Sequence, residues 1–135
     1  MRDVLFVAAG GSLGALARYG VGLAAARLLG KGFPWGTLAV NVAGCFLMGL
    51  VMELFLDFES HSEPTPALRL QMALWKQGVA IGFLGGLTTF SSFGADTLRD
   101  FQAGLPVLAL ANIAANVVLS LAAVWAGIAV MQAVD

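Results

Sequence analysis

Residues 82–94 bring together, in the order GFLGGLTTFSSFG, the residue types that can handle an ion inside a membrane. The adjacent Gly85 and Gly86 each weaken a helix by about 1 kcal/mol relative to alanine, and the hydroxyls that follow can satisfy freed backbone groups. A broken membrane helix of this kind exposes carbonyl oxygens, which are ligands for a hard cation such as Na⁺. The same pattern also fits a simple kink or a close helix crossing, and the residues alone leave these alternatives open.

Phe90 and Phe93 are three residues apart and therefore share one helix face. They are interleaved with three hydroxyl residues, Thr89, Ser91 and Ser92. Because the edge of an aromatic ring is positive, a ring edge can hold a small anion weakly, without the full charge that would trap it. Aromatic pairs at this spacing are also typical of an ordinary core.

Polar side chains recur on one face of two other apolar segments. Asn112, Asn116 and Ser120 are each four residues apart, which makes a ladder about 12 Å long on a helix. Asn41 shares a face with Thr37 in an earlier segment. An amide at membrane depth must find a partner, so these residues either bond neighbouring helices or line a hydrated path.

Arg18 follows Gly10 and Gly14 at the same four-residue spacing. The two glycines allow a second helix to approach closely, and we interpret them as packing residues. A charge at membrane depth is costly and usually faces protein or water. Arg18 lies about 21 Å along the helix from Val4, so it either reaches a vestibule on the far side or extends to the interface.

Four long apolar segments must position these residues. Only 11% of the chain is charged, against roughly 25% in a soluble domain, and the mean hydropathy is +0.88. Uncharged runs cover residues 32–52, 77–95 and 101–134, and a spanning helix needs about 20 apolar residues. We predict an all-α integral membrane protein, with residues 1–135 as one four-helix domain and the third helix broken near its centre. The predicted spans are 4–29, 35–56, 66–98 and 105–134, with a polar loop at 57–65 and Thr65-Pro66 starting the third helix.

Apart from Arg18, the basic residues are balanced between the two sides of the membrane. One side holds three and the other side holds three, whereas positive-inside orientation needs an excess on one side. Either the predicted boundaries miscount one or two residues, or copies insert both ways and pair antiparallel. The two sets are Arg2, Arg69 and Lys76 on one side, and Arg27, Lys31 and Arg99 on the other.

Taken together, the segments resemble the Fluc (CrcB) fluoride channel family. In chain order they are GGxxGAxxRY from Gly10, WGTLxxNxxGxF from Trp35, GFxGGLTTFSSF from Gly82, and the ladder Asn112, Asn116 and Ser120. They cover all four spans, and the third segment is long and specific. The chain differs from the usual family pattern at Ser92, where threonine is usual, and at Asp96, where glutamate is common.

The resemblance implies an antiparallel, dual-topology homodimer with two fluoride pores in the bacterial inner membrane. It implies passive export of cytoplasmic fluoride, and hence fluoride resistance. It also implies a structural Na⁺ on the two-fold axis, held by the backbone carbonyls of Gly85 and Thr88 from each subunit.

For the pathway, the resemblance implies that Phe90 and Phe93 turn their ring edges toward fluoride. Asn41 matches the family's pore asparagine, Arg18 matches its vestibule arginine, and the Asn112, Asn116 and Ser120 ladder matches its polar track. The neighbouring hydroxyls of Thr89, Ser91 and Ser92 are expected to complete the pathway.

Three other functions fit the residues less well. A small multidrug exporter needs a titratable carboxylate within the membrane, and Glu53 and Asp96 lie near span ends. A membrane hydrolase needs a nucleophile with a base, and the single His61 lies in the predicted loop, far in sequence from Cys45. We therefore predict that the protein is not an enzyme. A structural subunit without its own activity is the third alternative.

Overall fold

The computed structural model describes residues 2–61 and 65–134, and for 59–61 it describes the backbone alone. Within these ranges the chain is helical and contains no strand. The helices are α1 (Arg2–Leu28), α2 (Trp35–His61), α3 (Pro66–Lys76), α4 (Gly85–Leu87), α5 (Phe90–Gln102) and α6 (Pro106–Gln132), and a π-helical segment, Gln77–Leu84, joins α3 to α4.

Four helical stretches are long and apolar enough to cross a membrane, as the sequence predicts: Arg2–Leu28, Trp35–Phe58, Pro66–Gln102 and Pro106–Gln132. The predicted start of the third stretch is confirmed, because Thr65 caps α3 by accepting a 3.3 Å hydrogen bond from the backbone nitrogen of Leu68. The predicted loop at 57–65 is wrong in part, since α2 continues to His61. Polar residues there indicate an exit from the apolar layer, and a helix can continue into water. Residues 62–64 of that loop lie outside the described residues.

The π-helical segment packs against α1 through facing glycines. A Cβ atom on Gly10 would overlap the carbonyl oxygen of Gly78, and one on Gly14 would overlap that of Phe83. From the other side, a Cβ atom on Gly86 would lie 2.6 Å from the carbonyl oxygen of Gly11. The close approach expected from the spacing of Gly10 and Gly14 is therefore present, and it brings backbone against backbone.

A second glycine crossing joins α2 to α6. Cβ atoms on Gly49 and Gly127 would overlap the carbonyl oxygens of Val124 and Phe46, respectively. The two pairs are joined because α1 also contacts α2 and α5 contacts α6, so the four stretches form one packed unit. Val40, Leu84 and Leu87 form its buried apolar cluster.

Replacing Gly14 with alanine is expected to destabilise the protein, because the added methyl meets backbone atoms that cannot rotate away. Overpacking of this kind costs about 1–3 kcal/mol. Gly20 on the same helix offers a matched control, since nothing lies within 4 Å of a Cβ atom placed there. Thermal denaturation of both variants in detergent checks the prediction, and equal melting temperatures for the two variants would contradict it.

The third stretch bends where α4 gives way to α5. Thr88 (φ −75°, ψ 155°) and Thr89 (φ −152°, ψ 109°) have extended backbone between the two helices. The hydroxyl of Thr88 donates to the carbonyl of Leu84 at 2.9 Å and thereby supports the end of α4. The bend lies beside the residues that the sequence marks for ion chemistry.

Candidate ion-conduction site

The amide of Asn41 on α2 holds the extended backbone of Thr89. The backbone nitrogen of Thr89 donates to Asn41 Oδ1 at 2.8 Å, and Asn41 Nδ2 donates to the carbonyl of Thr89 at 3.3 Å. One side chain therefore satisfies both backbone groups of a residue outside the regular helices. In an apolar surrounding each of these groups would otherwise cost several kcal/mol, so Asn41 is needed for the bend itself.

The side chain of Thr89 caps α5. Its Oγ1 accepts from the backbone nitrogen of Ser92 at 3.2 Å and lies 3.0 Å from Ser92 Oγ and 3.2 Å from Ser91 Oγ. Three hydroxyls thus gather at the N-terminus of a thirteen-residue helix, where the partial charge of the helix dipole is positive. This corner of the molecule is polar and favours negative charge.

The same hydrogen bonds leave two carbonyl groups without their helical donors. In a continuous α-helix the N–H of Thr89 would bond the carbonyl of Gly85, and that of Ser92 would bond the carbonyl of Thr88. The first N–H donates to Asn41 instead, and the second donates to Thr89 Oγ1. Gly85 is also exposed on the surface of the chain. These are the two carbonyls that the family resemblance implies as Na⁺ ligands.

The rings of Phe90 and Phe93 line a cavity of about 400 Å³. Their centroids are 5.4 Å apart and their planes are tilted by 57°. Phe90 is 83% exposed, although it lies at the start of α5 beside the polar corner. None of the residues that line this cavity is Lys, Arg, Asp or Glu. Its predicted site residues are Asn41, Thr88, Thr89, Phe90, Phe93, Asn116 and Ser120.

Arg18 lines a second cavity, of about 470 Å³, together with Ser91 and Ser92. Thr89 lines both this second cavity and the cavity lined by the rings of Phe90 and Phe93, which we call the ring-lined cavity. The predicted site residues that line these two cavities therefore form two groups, and Thr89 belongs to both. Arg18 faces a polar depression here, which is one of the two positions that its sequence context left open.

A third cavity, of about 400 Å³, adjoins the second, and Thr37 lines both. The hydroxyl of Thr37 donates to Asp96 Oδ2 at 3.0 Å, and the other oxygen of Asp96 pairs with Arg99. The sequence patterns predicted no site role for Thr37 or Arg99. The only available signal was that Thr37 shares a helix face with Asn41.

The ladder on α6 is mostly buried. Asn112 is 0% exposed and Asn116 is 5% exposed. Asn41 Nδ2 donates to Asn116 Oδ1 at 2.9 Å, and Asn116 Nδ2 donates to Asn112 Oδ1 at 2.8 Å. Asn112 Nδ2 donates in turn to Thr97 Oγ1 at 2.9 Å, a residue that sequence analysis did not single out. Asn116 and Ser120 reach the ring-lined cavity, and Asn112 lines none of the three cavities.

Comparison with known proteins adds a family to this geometry. Residues 5–128 match the family described as CrcB-like protein, Camphor Resistance (CrcB). A Rhizobium etli (strain CFN 42) protein named Fluoride-specific ion channel FluC is 48% identical over 98% of both chains. Proteins of the same name are 44% identical in Shewanella amazonensis, over 94% of both chains, and 43% identical in Vibrio parahaemolyticus, over 90% of this chain and 88% of the relative. These names describe channels, in agreement with the predicted lack of enzymatic activity.

Proposed function

The chain belongs to the CrcB-like family, and from this premise we propose that it is a fluoride-specific ion channel that lets cytoplasmic fluoride leave the cell passively. The ring-lined cavity is the single observation that best supports the proposal. It offers two aromatic rings, amides and hydroxyls, and none of its lining residues is a lysine or arginine that would trap an anion. Conduction requires sites that are favourable enough to enter and weak enough to leave.

In the proposed pathway, Arg18 attracts fluoride into the second cavity, because a positive charge in a concave surface raises the local anion concentration. The hydroxyls at the start of α5 then replace part of the lost hydration, with the positive end of the helix dipole behind them. Thr89 connects this cavity to the ring-lined one. There the ring edges of Phe90 and Phe93 provide weak positive potential.

Cell growth tests this function. A bacterial strain that lacks its own fluoride exporter is expected to grow in fluoride when it produces this protein, and to fail with an empty vector. Equal growth inhibition with and without the protein, once its presence in the membrane has been shown, would argue against fluoride export.

We also propose that two copies pair antiparallel, as one multi-pass domain each. The exposed ring of Phe90 supports this arrangement, because 83% exposure leaves one wall of the ring-lined cavity open for a second chain to complete. The balanced loop charges support insertion in both orientations.

Dual topology predicts that a reporter fused to the C-terminus is active on both sides of the membrane. Paired fusions check this, one with a reporter that works only in the periplasm and one with a reporter that works only in the cytoplasm. Adding one lysine beside Arg2 is expected to bias the distribution. Activity in a single compartment would contradict the antiparallel pair.

We further propose a structural Na⁺ between the two copies, held by the carbonyls of Gly85 and Thr88. These ligands suit a hard cation, because both carbonyls are backbone oxygens. Each has lost the N–H that would bond it in a continuous helix, since those N–H groups donate to Asn41 and Thr89 instead. Two carbonyls from each copy would provide four oxygen ligands. The ion would fix the bend of each third helix relative to its partner.

A bound Na⁺ predicts that the protein is more stable in Na⁺ than in a buffer whose only cation is too large for such a site, such as N-methyl-D-glucamine. A ligand present at about 100 times its Kd raises the free energy of unfolding by about 2.7 kcal/mol. Melting temperatures in the two buffers at equal ionic strength check the prediction. Identical melting temperatures would contradict it.

A further inference from the structure

Five hydrogen bonds connect the bend of the third stretch to the carbonyl of Phe93, and they all run in one direction. The N–H of Thr89 donates to Asn41, Asn41 to Asn116, Asn116 to Asn112, and Asn112 to Thr97. The hydroxyl of Thr97 then donates to the carbonyl of Phe93 at 2.8 Å. We call this series the amide chain.

The two ends of the amide chain fix its direction. A backbone N–H can only donate and a backbone carbonyl can only accept, so the atom of Asn41 that faces the N–H of Thr89 must be its oxygen. Each following amide must then turn its nitrogen onward, until Thr97 bonds Phe93. No single member can reverse without leaving buried polar groups unpaired, which is costly in a low dielectric. The amide chain therefore holds one arrangement.

The amide chain also engages both amide N–H groups of Asn116. Asn116 Nδ2 bonds both Oδ1 and the backbone carbonyl of Asn112, at 2.8 and 3.1 Å. Asn112 is wholly buried and lines none of the three cavities. For the amide of Asn116 to donate to an anion, one of its bonds in the amide chain would have to open, and Asn112 is closed off by its burial. The geometry of the amide chain therefore favours a structural role, in which it links α2, α6 and α5, over direct contact with the conducted ion.

Thr97 is the residue through which the amide chain reaches α5. It is 8% exposed, and its one hydroxyl accepts from Asn112 on α6 and donates one helical turn back to Phe93. The turn of α5 that contains Phe93 is thereby tied to α6, and through Asn116 and Asn41 to the bend at Thr89. The ring of Phe93 and the bend are positioned by the same set of bonds.

We propose that Thr97 and Asn112 are positioning residues that set the Phe93 ring relative to the bend, and so set fluoride flux without contacting the ion. This inference rests on the proposed fluoride channel function. It assigns a role in conduction to a threonine outside every cavity described above.

The test measures fluoride efflux from liposomes for the wild type and for Thr97→Val, which keeps the side-chain shape and removes the hydroxyl. Flux is expected to fall about fivefold or more in T97V and to stay near the wild-type value in Thr97→Ser. Ser12→Ala is the matched control, because that hydroxyl donates to the carbonyl of Ala9 within its own helix. If T97V does not elute as the wild type does, Thr97→Ala gives the same comparison with serine.

A double-mutant cycle with Phe93→Ile distinguishes positioning from general stability. If Thr97 acts through Phe93, T97V is expected to lower flux by less than about twofold when Phe93 is already isoleucine. Full additivity, or wild-type flux in T97V, or loss of flux in T97S, would overturn the inference. Absence of flux in the wild type would instead overturn the proposed function, so the two failures are distinguishable.

Discussion

Replacing Asn41 with leucine is expected to reduce fluoride flux by about a hundredfold, which corresponds to ~2.7 kcal/mol in a barrier. Leucine has similar size but leaves the N–H and the carbonyl of Thr89 without the partners that Asn41 provides. It also removes the donor to Asn116, so the amide chain loses its link between the bend and α6. Unpaired backbone groups in an apolar surrounding cost several kcal/mol.

Asn41 bonds the backbone at the bend and also lines the ring-lined cavity. Its leucine variant is therefore expected to lose both thermal stability and flux. Fluoride efflux from liposomes, with protein content matched by elution as a folded species, measures the flux. Melting temperature measures the stability. An N41L protein with wild-type flux would show that the Thr89 backbone needs no partner on α2.

Replacing Phe93 with isoleucine is expected to lower flux about thirtyfold, or ~2 kcal/mol in the barrier, with little change in stability. Isoleucine keeps apolar bulk in the ring-lined cavity, but it has no ring edge with positive potential. The hydrogen bond from Thr97 goes to the backbone carbonyl of residue 93, so it survives the substitution.

Phe101→Ile provides the matched control for this prediction. Phe101 lies on the same helix, is 42% exposed, and lines none of the cavities described above. Fluoride flux is expected to stay near the wild-type value in F101I. Equal flux in F93I, F101I and the wild type would assign Phe93 to ordinary packing.

The two predictions differ in what accompanies the loss of flux. N41L is expected to lose both stability and flux, and F93I is expected to lose flux while it keeps its stability. This difference follows from the contacts, since Asn41 satisfies buried backbone and Phe93 lines a cavity with its ring. Measuring melting temperature and flux on the same preparations separates the two roles.

The sequence predicted the parts of the fold that depend on local pattern. Long apolar runs gave the four stretches, Thr65 and Pro66 gave the start of α3, and the spacing of Gly10 and Gly14 gave a close helix approach. Each of these is decided within one or two helical turns. Polarity failed as a guide to where α2 ends, because a helix that leaves the apolar layer can continue in water.

The parts that could not be predicted depend on how one helix is rotated and shifted against another. Thr89 and Asn41 are 48 residues apart, and Thr37 and Asp96 are 59 apart. Helical periodicity shows which residues share a face, but it does not show which faces meet. For that reason the sequence indicated that the asparagines of α6 need partners, and it did not indicate Thr97. The π-helical segment also left no recognisable pattern.

We propose that the ring-lined cavity, completed by a second copy, conducts fluoride selectively. The most direct test of this proposal is the efflux of fluoride and of chloride from liposomes that contain only the purified protein. Ion-selective electrodes measure the efflux after an ionophore lets the counter-ions leave the liposomes. We expect rapid fluoride efflux, with chloride efflux no faster than from protein-free liposomes. Equal release of the two anions, or no release of fluoride, would contradict the account.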